Sequence, residues 1–383
     1  MVVARPSIPF VSPFVGEEEV EAVVRALRSG RLAQGPEVEA FEREICAVTH
    51  ARHAVALNSG TAALHAALAA MEVGEGDEVV TTPFTFAATA TPVLMVLATV
   101  RFADIDPHTY GLDPAAAEAA IGPRTRAVVP VDLFGLPYDA RLDGVRARGI
   151  RVVEDACQAI GAWRDGAPAG SLGDVAALSF YATKNLTTGE GGMLLTRDAE
   201  TASRARAFRQ HGLDERGECA SLGYNYRMPE MCAALGRIQL TRLEAVSARR
   251  RANAALYDER LGGIAGITTP FVPTNMRHAY HQYSIAIDGQ ATPNGADRDR
   301  VTAFLGENGI GFGVYYRRPL HLQPLFAGAG YGPGDFPVAE RVARQILALP
   351  VHPALTRAQA DAVVRAVRVA VGADRNGAMH AAR

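Results

Sequence analysis

The sequence predicts an α/β fold in which a mostly parallel central sheet carries helices on both faces, followed by a smaller C-terminal α+β domain. The main observation is that short apolar runs alternate with helical patterns from about residue 53 to residue 195, at the spacing of strands joined by helices. A second is the length of 383 residues, 48% of them hydrophobic, which allows a large core. We expect residues 1–245 to form the large domain and residues 246–383 the small one.

Two amphipathic helices open the chain. The first is predicted over residues 16–30, because acidic residues at its start favour a helix N-terminus and a glycine follows its last apolar residue. The second begins at Pro36 and places Val38, Phe41 and Ile45 on one face. The loop between them could be a plain connector or part of a site.

The next hundred residues alternate between strands and helices. Strands are predicted over residues 53–57, 78–81, 100–105, 127–131 and 151–155. Helices are predicted over residues 62–71, after residue 86, after residue 114 and over residues 138–148. In an open parallel sheet, ligands bind beyond the carboxyl ends of the strands, so we expect the site at that edge.

The remaining patterns complete the sheet and build the small domain. They predict strands over residues 175–181 and 193–195, a helix over residues 198–211, a loop over residues 223–227 and one long helix over residues 229–261. For the small domain they predict strands over residues 282–287 and 312–316, and helices over residues 297–308, 337–347 and 357–371. The polar, alanine-rich tail over residues 372–383 is predicted to fray.

The charge and cysteine content exclude several classes of protein. A formal net charge of −2 gives no electrostatic basis for binding nucleic acid or an anionic membrane surface. The four cysteines have neither zinc-ligand spacing nor the pattern of a disulfide framework, and no run of about 18 apolar residues occurs. We therefore expect a cytoplasmic protein of enzyme size, with no metal and with no nucleic-acid or membrane partner.

Lys184 is the first candidate for chemistry. It follows the apolar run over residues 175–181 and precedes a glycine-rich turn over residues 187–192, so we expect it at the mouth of the sheet. An amine held among desolvating groups is more easily neutral, and a neutral amine can form a Schiff base with a carbonyl. The alternative is an ordinary surface lysine in a loop.

Two further positions fall at the same predicted edge. The turn Asn58-Ser59-Gly60-Thr61 joins a strand to a helix and could bind a phosphate, although such turns are commonly plain helix caps. Asp155 ends a valine-rich strand and could instead be solvated. A lysine, an aspartate and a phosphate cradle on three strands are the set that pyridoxal phosphate requires: a covalent anchor, a partner for the pyridine nitrogen and an anion site.

Eight motifs carry a resemblance to a known family. In chain order they are NSGTAALH (58–65), PFTFAAT (83–89), DIDP (104–107), EDACQ (154–158), GSLGD (170–174), SFYATKNL (179–186), GYNYR (223–227) and PLHLQP (319–324). This ordered series resembles the DegT-type nucleotide-sugar aminotransferases, which are fold-type I pyridoxal phosphate enzymes. The resemblance runs from about residue 10 to about residue 370.

The resemblance implies a role for each matching residue. Lys184 would hold the cofactor as a Schiff base and, once released, carry the proton, while Asp155 would pair with the pyridine nitrogen. The other residues that would bind the cofactor are Ser59, Gly60, Thr61 and Ser179 at the phosphate, Phe86 on one ring face, Cys157 near the other face and Gln158 at the ring hydroxyl. Asn225 resembles a residue that reaches the phosphate in the neighbouring subunit, which implies a homodimer with shared active sites.

The resemblance also implies the class of substrate. Members that replace the lysine with histidine are dehydratases, so Lys184 favours transamination from an amino-acid donor, glutamate or glutamine, through the pyridoxamine form of the cofactor. The Gly-Glu-Gly-Gly sequence at 189–192 resembles enzymes that aminate C4 of the sugar, which favours a dTDP-4-keto-6-deoxyhexose. A 3-keto sugar or a keto-inositol is the alternative acceptor. Tyr316 and His321 lie in a motif that approaches the sugar or nucleotide, but either could be a plain loop residue.

A hypothesis from another class remains at this stage. A non-catalytic nucleotide-binding or regulatory module could use the turn at Ser59 to Thr61 for phosphate binding. Such a module would leave the pairing of Lys184 with Asp155 unexplained. The glycine-rich stretches near residues 309–313 and 328–334 contain no GxGxxG sequence opening a helix, so a dinucleotide fold is not supported.

Overall fold

The computed structural model describes residues 7–374 and has the α/β architecture that the sequence predicts. In chain order the helices are α1 (Glu17–Arg28), α2 (Pro36–Thr49), α3 (Gly60–Ala70), α4 (Ala87–Met95), α5 (Pro114–Ala120), α6 (Ala199–Arg209), α7 (Glu230–Thr241), α8 (Leu243–Leu261), α9 (Arg298–Glu307), α10 (Pro337–Gln345) and α11 (Arg357–Ala370). The strands are β1 (His53–Leu57), β2 (Glu78–Thr81), β3 (Thr99–Phe102), β4 (Thr125–Val129), β5 (Arg151–Asp155), β6 (Trp163–Arg164), β7 (Ala167–Pro168), β8 (Val175–Ser179), β9 (Gly192–Thr196), β10 (Ile267–Thr268), β11 (Met276–Arg277), β12 (Tyr283–Ile287) and β13 (Ile346–Leu349).

The central sheet places the predicted site residues at one edge. Its seven strands have the order β1-β9-β8-β5-β4-β2-β3, and β9 alone runs antiparallel to its neighbours. Val55, Val153 and Ala177 on three of these strands have no exposed surface, because helices cover both faces of the sheet. The carboxyl ends of β1, β5 and β8 therefore meet at the same edge, where the chain continues into the turn at Ser59, into Asp155 and towards Lys184.

A second hydrophobic cluster lies in the C-terminal third of the chain. The strands β10, β12 and β13 form a small antiparallel sheet, and α8, α9 and α11 pack on it. Buried residues of this cluster run from Ala254 to Val371, and Ile8 from the start of the chain joins them. The division into residues 1–245 and 246–383 stays a prediction.

The predicted long helix over residues 229–261 is two helices in the structure. It breaks at Arg242, whose amide bonds to Gln239 and Leu240 instead of continuing the regular ladder. The break changes the packing partners, since α7 lies against α1 and α2 whereas α8 lies against α11. Arg242 also pairs with Glu18 and Glu19 of α1, at 2.7 and 3.2 Å, which anchors the junction.

Three other predicted elements differ from those in the structure. The region 312–316 is no strand and makes only an isolated bridge from Gly313 to Ala348. The helix predicted over residues 337–347 ends at Gln345, because the apolar run that follows pairs with β12 as the buried strand β13. The helix predicted over residues 138–148 is a series of 3-10 turns over Ala140–Arg148.

Two remaining points concern the ends of the chain and its helices. The tail over residues 372–383 is predicted to fray, and its positions 375–383 lie outside the described residues. Within residues 7–374, no helix combines the length and the apolar character that crossing a membrane requires.

Candidate active site

The turn between β1 and α3 forms a small concave surface of amides and hydroxyls. Ser59 caps α3, and its Oγ accepts a hydrogen bond from the Ala62 amide at 3.1 Å. A Cβ atom on Gly60 would lie 2.8 Å from Cβ of Ser179 and 3.0 Å from Sγ of Cys157. The absence of a side chain therefore lets the first turn of α3 pack closely on the ends of β5 and β8, where its free amides favour an anion.

Asp155 ends β5 with an almost fully buried carboxylate that is 4% exposed. Thr89 Oγ1 donates a 2.7 Å hydrogen bond to its Oδ2, and the Cys157 amide donates a 3.2 Å bond to its Oδ1. The hydroxyls of Thr85 and Thr89 are 2.8 Å apart. Because the one proton of the Thr89 hydroxyl goes to Asp155, Thr85 must donate to Thr89. The three side chains form a directed chain that ends on the carboxylate.

Thr85 and Thr89 are site residues that the sequence reasoning missed. Both lie in the PFTFAAT segment (83–89), where only Phe86 was assigned a role. Thr85 precedes the cap residue Phe86 and Thr89 lies in the first turn of α4, so the signal that could have identified them is a pair of threonines flanking Phe86 at a predicted helix start. That Thr89 points at Asp155, 66 positions further along the chain, is visible only in the folded structure.

Lys184 lies beyond the end of β8 and is half-buried. Burial lowers its pKa, while the electrostatic influence of Cys157 and Asp155 opposes that shift. Because burial also raises the pKa of the Cys157 thiol well above its usual value, Asp155 is the effective anionic neighbour of the lysine. A lowered pKa increases the fraction of neutral amine, which is the form that adds to an aldehyde.

Phe86, Gln158 and Tyr316 come together beside Asp155. Gln158 Oε1 accepts a 2.8 Å hydrogen bond from the Phe134 amide, and its Nε2 donates a 3.2 Å bond to the Tyr316 hydroxyl. Phe86 stacks on Tyr316 with 6.4 Å between ring centroids, and it is 60% exposed. Burial raises the pKa of Tyr316, so the phenol stays neutral and available as a hydrogen-bond partner.

Asn225 and His321 are placed differently from the other candidates. Asn225 is exposed, and its carbonyl accepts a 3.5 Å hydrogen bond from the side chain of Asn58, at the start of the turn between β1 and α3. His321 is buried, with Nε2 3.2 Å from Glu340 and its ring edge against Phe336. The histidine thus contacts the protein interior, and its role at the substrate stays a prediction.

A pair of buried acids lies behind Asp155. Burial raises the pKa of Glu154, but hydrogen bonds at 2.7 to 3.0 Å from the amides of Gly170, Leu172 and Gly173 oppose that shift and favour the charged form. Burial, and then the charge of Glu154, raise the pKa of Asp132 well above its usual value. Oδ2 of Asp132 has no other partner among the described residues. We assign the proton of this pair to Asp132, which accounts for the otherwise unpartnered oxygen.

These residues fit pyridoxal phosphate. The turn at Ser59 to Thr61 offers free amides and hydroxyls, and a Cβ atom at Gly60 would crowd its contact with Ser179. Asp155 offers a carboxylate held by two donors, and Phe86 offers an exposed ring face. Lys184 offers an amine whose pKa is lowered by burial.

Comparison with known proteins agrees with this arrangement. The model of the DegT/DnrJ/EryC1/StrS aminotransferase family matches residues 13–368. The spore coat polysaccharide biosynthesis protein SpsC of Bacillus subtilis (strain 168) is 41% identical, over 96% of this chain and 98% of the relative. A dTDP-3-amino-3,4,6-trideoxy-alpha-D-glucose transaminase of Streptomyces venezuelae is 39% identical, over 95% of this chain and 96% of the relative.

Solved structures extend the comparison to the cofactor. The protein Spr1654 of Streptococcus pneumoniae has been solved in a pyridoxal phosphate form, which matches with a TM-score of 0.89 and 28% identity over 96% of this chain and 99% of the other. Its pyridoxamine phosphate form matches with a TM-score of 0.90 over 96% and 100% of the two chains. The chain belongs to the DegT/DnrJ/EryC1/StrS aminotransferase family and is a transaminase that uses pyridoxal phosphate.

Proposed function

We propose that this transaminase moves an amino group from glutamate or glutamine to a keto sugar carried on a nucleotide. The observation that carries the proposal is the half-buried Lys184 near the buried Asp155, at the ends of two adjacent parallel strands and beside the capped turn at Ser59. The Streptomyces venezuelae relative is named as a transaminase of a dTDP-linked sugar, which supports a nucleotide-linked sugar as the second substrate.

Lys184 and Asp155 have complementary roles in this proposal. Bound pyridoxal phosphate supplies an aldehyde and a ring that accepts electrons. Lys184 anchors the group covalently through Nζ and, when released, moves a proton at the substrate carbon that carries the amino group. Asp155, whose carboxylate accepts hydrogen bonds from Thr89 and from the Cys157 amide, would pair with the pyridine nitrogen and favour its protonated form.

The remaining residues orient the cofactor. Ser59, Gly60, Thr61 and Ser179 hold the phosphate, because hydroxyls and helix amides converge there. Phe86 covers one ring face, and Gln158 reaches the ring hydroxyl through Nε2, the atom that bonds Tyr316. Tyr316, which accepts that bond, would be a hydrogen-bond partner for the sugar.

We propose a homodimer with shared active sites. Apart from Phe86, which faces the proposed cofactor, the large apolar side chains that are widely exposed in the single chain include Tyr181 at 47% and Leu222 at 75%. An apolar surface of this kind on one chain is typical of a face that a partner covers. A second copy would present its exposed Asn225 to the phosphate turn. We also propose a cytoplasmic location, since all four cysteines are free thiols.

The first acceptor that we propose is a dTDP-4-keto-6-deoxyhexose, on the sequence Gly-Glu-Gly-Gly at 189–192. A second candidate is a nucleotide-linked 3-keto sugar, because the Streptomyces venezuelae relative is named for a 3-amino sugar. The two acceptors differ by one carbon in the position of the carbonyl. The choice between them depends on how the sugar lies over Lys184, with the reacting carbon near Nζ.

The test begins with the visible absorbance of the protein loaded with pyridoxal phosphate. We expect a yellow band that bleaches when glutamate or glutamine is added. Lys184→Ala should lack the band that depends on the lysine, although it should still bind the cofactor through the phosphate site. If the wild-type protein forms no such band, the roles given to Lys184 and Asp155 are wrong.

The second step identifies the acceptor. The protein in its pyridoxamine form is mixed with a dTDP-4-keto sugar, a nucleotide-linked 3-keto sugar and a keto-inositol in separate reactions. Return of the yellow band together with an amino sugar detected by mass spectrometry identifies the substrate. A return of the band with the keto-inositol alone would overturn the nucleotide-sugar proposal while leaving the cofactor roles intact.

A further inference from the structure

The side-chain amide of Gln158 has one fixed direction. Its Oε1 accepts a 2.8 Å hydrogen bond from the Phe134 amide, which leaves Nε2 as the group that donates to the Tyr316 hydroxyl at 3.2 Å. Half a turn about the last bond of a glutamine exchanges its donor with its acceptor. Because a backbone N–H group can only donate, the Phe134 amide excludes the exchanged orientation. The position of Phe134 therefore decides which group Gln158 presents to the site.

Phe134 lies in a tight turn over residues 132–138, which we call the Phe134 turn. Its backbone has a φ of 59° and a ψ of 1°, a left-handed conformation that costs energy for a residue with a large side chain. The next residue, Gly135, has a φ of 103°, and a Cβ atom there would lie 3.0 Å from the carbonyl oxygen of Gln158. The glycine thus lets the turn pack directly on the backbone of Gln158. A strained backbone of this kind persists only where its neighbours fix it.

Asp132 closes the Phe134 turn with its side chain. Its Oδ1 accepts a 2.9 Å hydrogen bond from the Tyr138 amide, at the other end of the turn. Its backbone carbonyl accepts a 3.2 Å bond from the Gly135 amide, and its backbone amide donates a 3.0 Å bond to the carbonyl of Asp155. Because Asp132 has no exposed surface, water cannot replace these bonds. Asp132 thus spans the turn and ties it to the end of β5.

Glu154 holds the Asp132 carboxyl in one orientation. With the proton of the pair on Asp132, Oδ2 donates a hydrogen bond to Glu154. Glu154 is itself fixed by three backbone amides, at 2.7 to 3.0 Å. Oδ1 is therefore the oxygen that remains for the Tyr138 amide, and rotation of the carboxyl would break both bonds. The two buried acids together form a rigid support for the Phe134 turn.

We propose that Asp132 is a positioning residue for the reaction: by closing the Phe134 turn it holds the Phe134 amide against Gln158 and so fixes Nε2 of Gln158 as the donor at the cofactor ring hydroxyl. The proposal rests on the proposed function, in which Gln158 reaches that hydroxyl. Asp132 acts only through the backbone of the turn, since its own carboxyl bonds to Tyr138 and to Glu154. The sequence analysis gave it no role.

The test compares variants of the full-length protein loaded with pyridoxal phosphate. Asp132→Ala removes both hydrogen bonds of the carboxyl, and Gln158→Ala removes the group that Asp132 positions. We expect each variant to slow the half-reaction with glutamate about tenfold, the effect of one lost hydrogen bond, and to give the same altered visible spectrum. Because Asp132 acts through Gln158, the double variant should be no slower than Gln158→Ala alone. Asp132→Asn keeps an acceptor for the Tyr138 amide and a donor for Glu154, and it should restore the wild-type rate and spectrum.

Asp113→Ala is the matched control. Asp113 also accepts a hydrogen bond from a backbone amide, that of Ala116 at 2.7 Å, but it does so as the cap of α5. This variant should keep the wild-type rate and spectrum. Asp132→Ser, whose hydroxyl is one bond closer to the backbone than Oδ1, replaces Asp132→Ala if that variant does not fold. Hydrogen exchange of the Phe134 amide, measured with and without pyridoxal phosphate, should be faster in Asp132→Ala than in the wild type.

The outcomes separate this proposal from the proposed function. A wild-type spectrum in Asp132→Ala, or a double variant about tenfold slower than Gln158→Ala, would overturn the positioning role. Equal losses in Asp113→Ala would also overturn it, because they would indicate a general loss of stability. If the wild type forms no visible band with pyridoxal phosphate, the proposed function fails, and exchange of the Phe134 amide then decides. Faster exchange in Asp132→Ala supports Asp132 as the residue that holds the turn, and unchanged exchange overturns that role.

Discussion

The two edges of the central sheet hold their charged groups in opposite ways. At the carboxyl edge, Asp155 is 4% exposed and receives hydrogen bonds from Thr89 and from a backbone amide. At the other edge, Arg126 and Arg151 are exposed and have no ion-pair partner among the described residues. A buried charge must be satisfied by fixed neighbours, whereas an exposed one is satisfied by water. The first edge is therefore preorganised, whereas the charges at the second edge are solvated.

This comparison predicts that removing a carboxylate slows catalysis strongly at the carboxyl edge of the sheet and little at the opposite edge. Asp155→Asn should lower the rate of the half-reaction with glutamate by about a hundredfold or more, because a preorganised charge at the cofactor is lost. The matched control is Asp174→Asn, which removes a carboxylate at the opposite edge, beside β8. Stopped-flow absorbance measures both variants. Equal rates in the two variants would remove the functional difference between the edges.

The hydroxyl chain behind Asp155 should have the next largest effect. Thr89→Val keeps the shape of the side chain but removes the 2.7 Å hydrogen bond, and we expect about a tenfold loss in rate, corresponding to the value of a bond to a charged group. Thr89→Ser restores the hydroxyl and should recover most of the activity. Absorbance recorded across a pH series should shift with Thr89→Val and stay unchanged with Thr89→Ser, since only the former alters the environment of Asp155.

The buried acid pair should make stability depend on pH. Burial and the charge of Glu154 raise the folded-state pKa of Asp132, so its stabilising proton is retained at low pH and is lost as the pH rises through that raised pKa. In Asp132→Asn the side-chain amide can still donate a hydrogen bond to Glu154, but it carries no titratable proton. Relative to the wild type, we expect the variant to gain about 1 kcal/mol of unfolding free energy per pH unit within that window.

Urea unfolding between pH 5 and about pH 9 measures this difference, with Asp139→Asn as the control at the half-exposed cap of the 3-10 turns over Ala140–Arg148. A wild-type stability that runs parallel to that of Asp132→Asn across the whole series would contradict the assignment of the proton to Asp132.

The smallest effect is expected at the arginine edge. Arg151→Gln should change the melting temperature by less than about 2 °C, because an exposed side chain without an ion pair contributes little to folding. By contrast, Arg209→Gln should destabilise clearly, since Arg209 is buried and bonds to Glu42 and to the Ala56 carbonyl. Differential scanning fluorimetry compares the two variants, and similar losses would contradict the distinction.

The sequence was sufficient for the elements whose signal is local. The valine-rich strand that ends at Asp155, the apolar strand before Lys184 and the Ser-Gly-Thr turn at the start of α3 were all predictable, because alternation, apolar runs and caps act within a few residues. The break at Arg242 and the strand β13 were not. Both depend on partners far away in the chain, α1 in the first case and β12 in the second.

By itself, the sequence determined the α/β class, the order of the seven central-sheet strands along the chain and the identity of Lys184 and Asp155 as the candidate catalytic pair. The tertiary structure alone decided that Thr89 donates to Asp155, that His321 is buried against Glu340 and that Arg126, Arg151 and Arg197 share one edge of the sheet. The physical reason is that residue types and their periodicity are local properties. Hydrogen-bond direction, burial and charge pairing are set by neighbours that meet only when distant segments pack together.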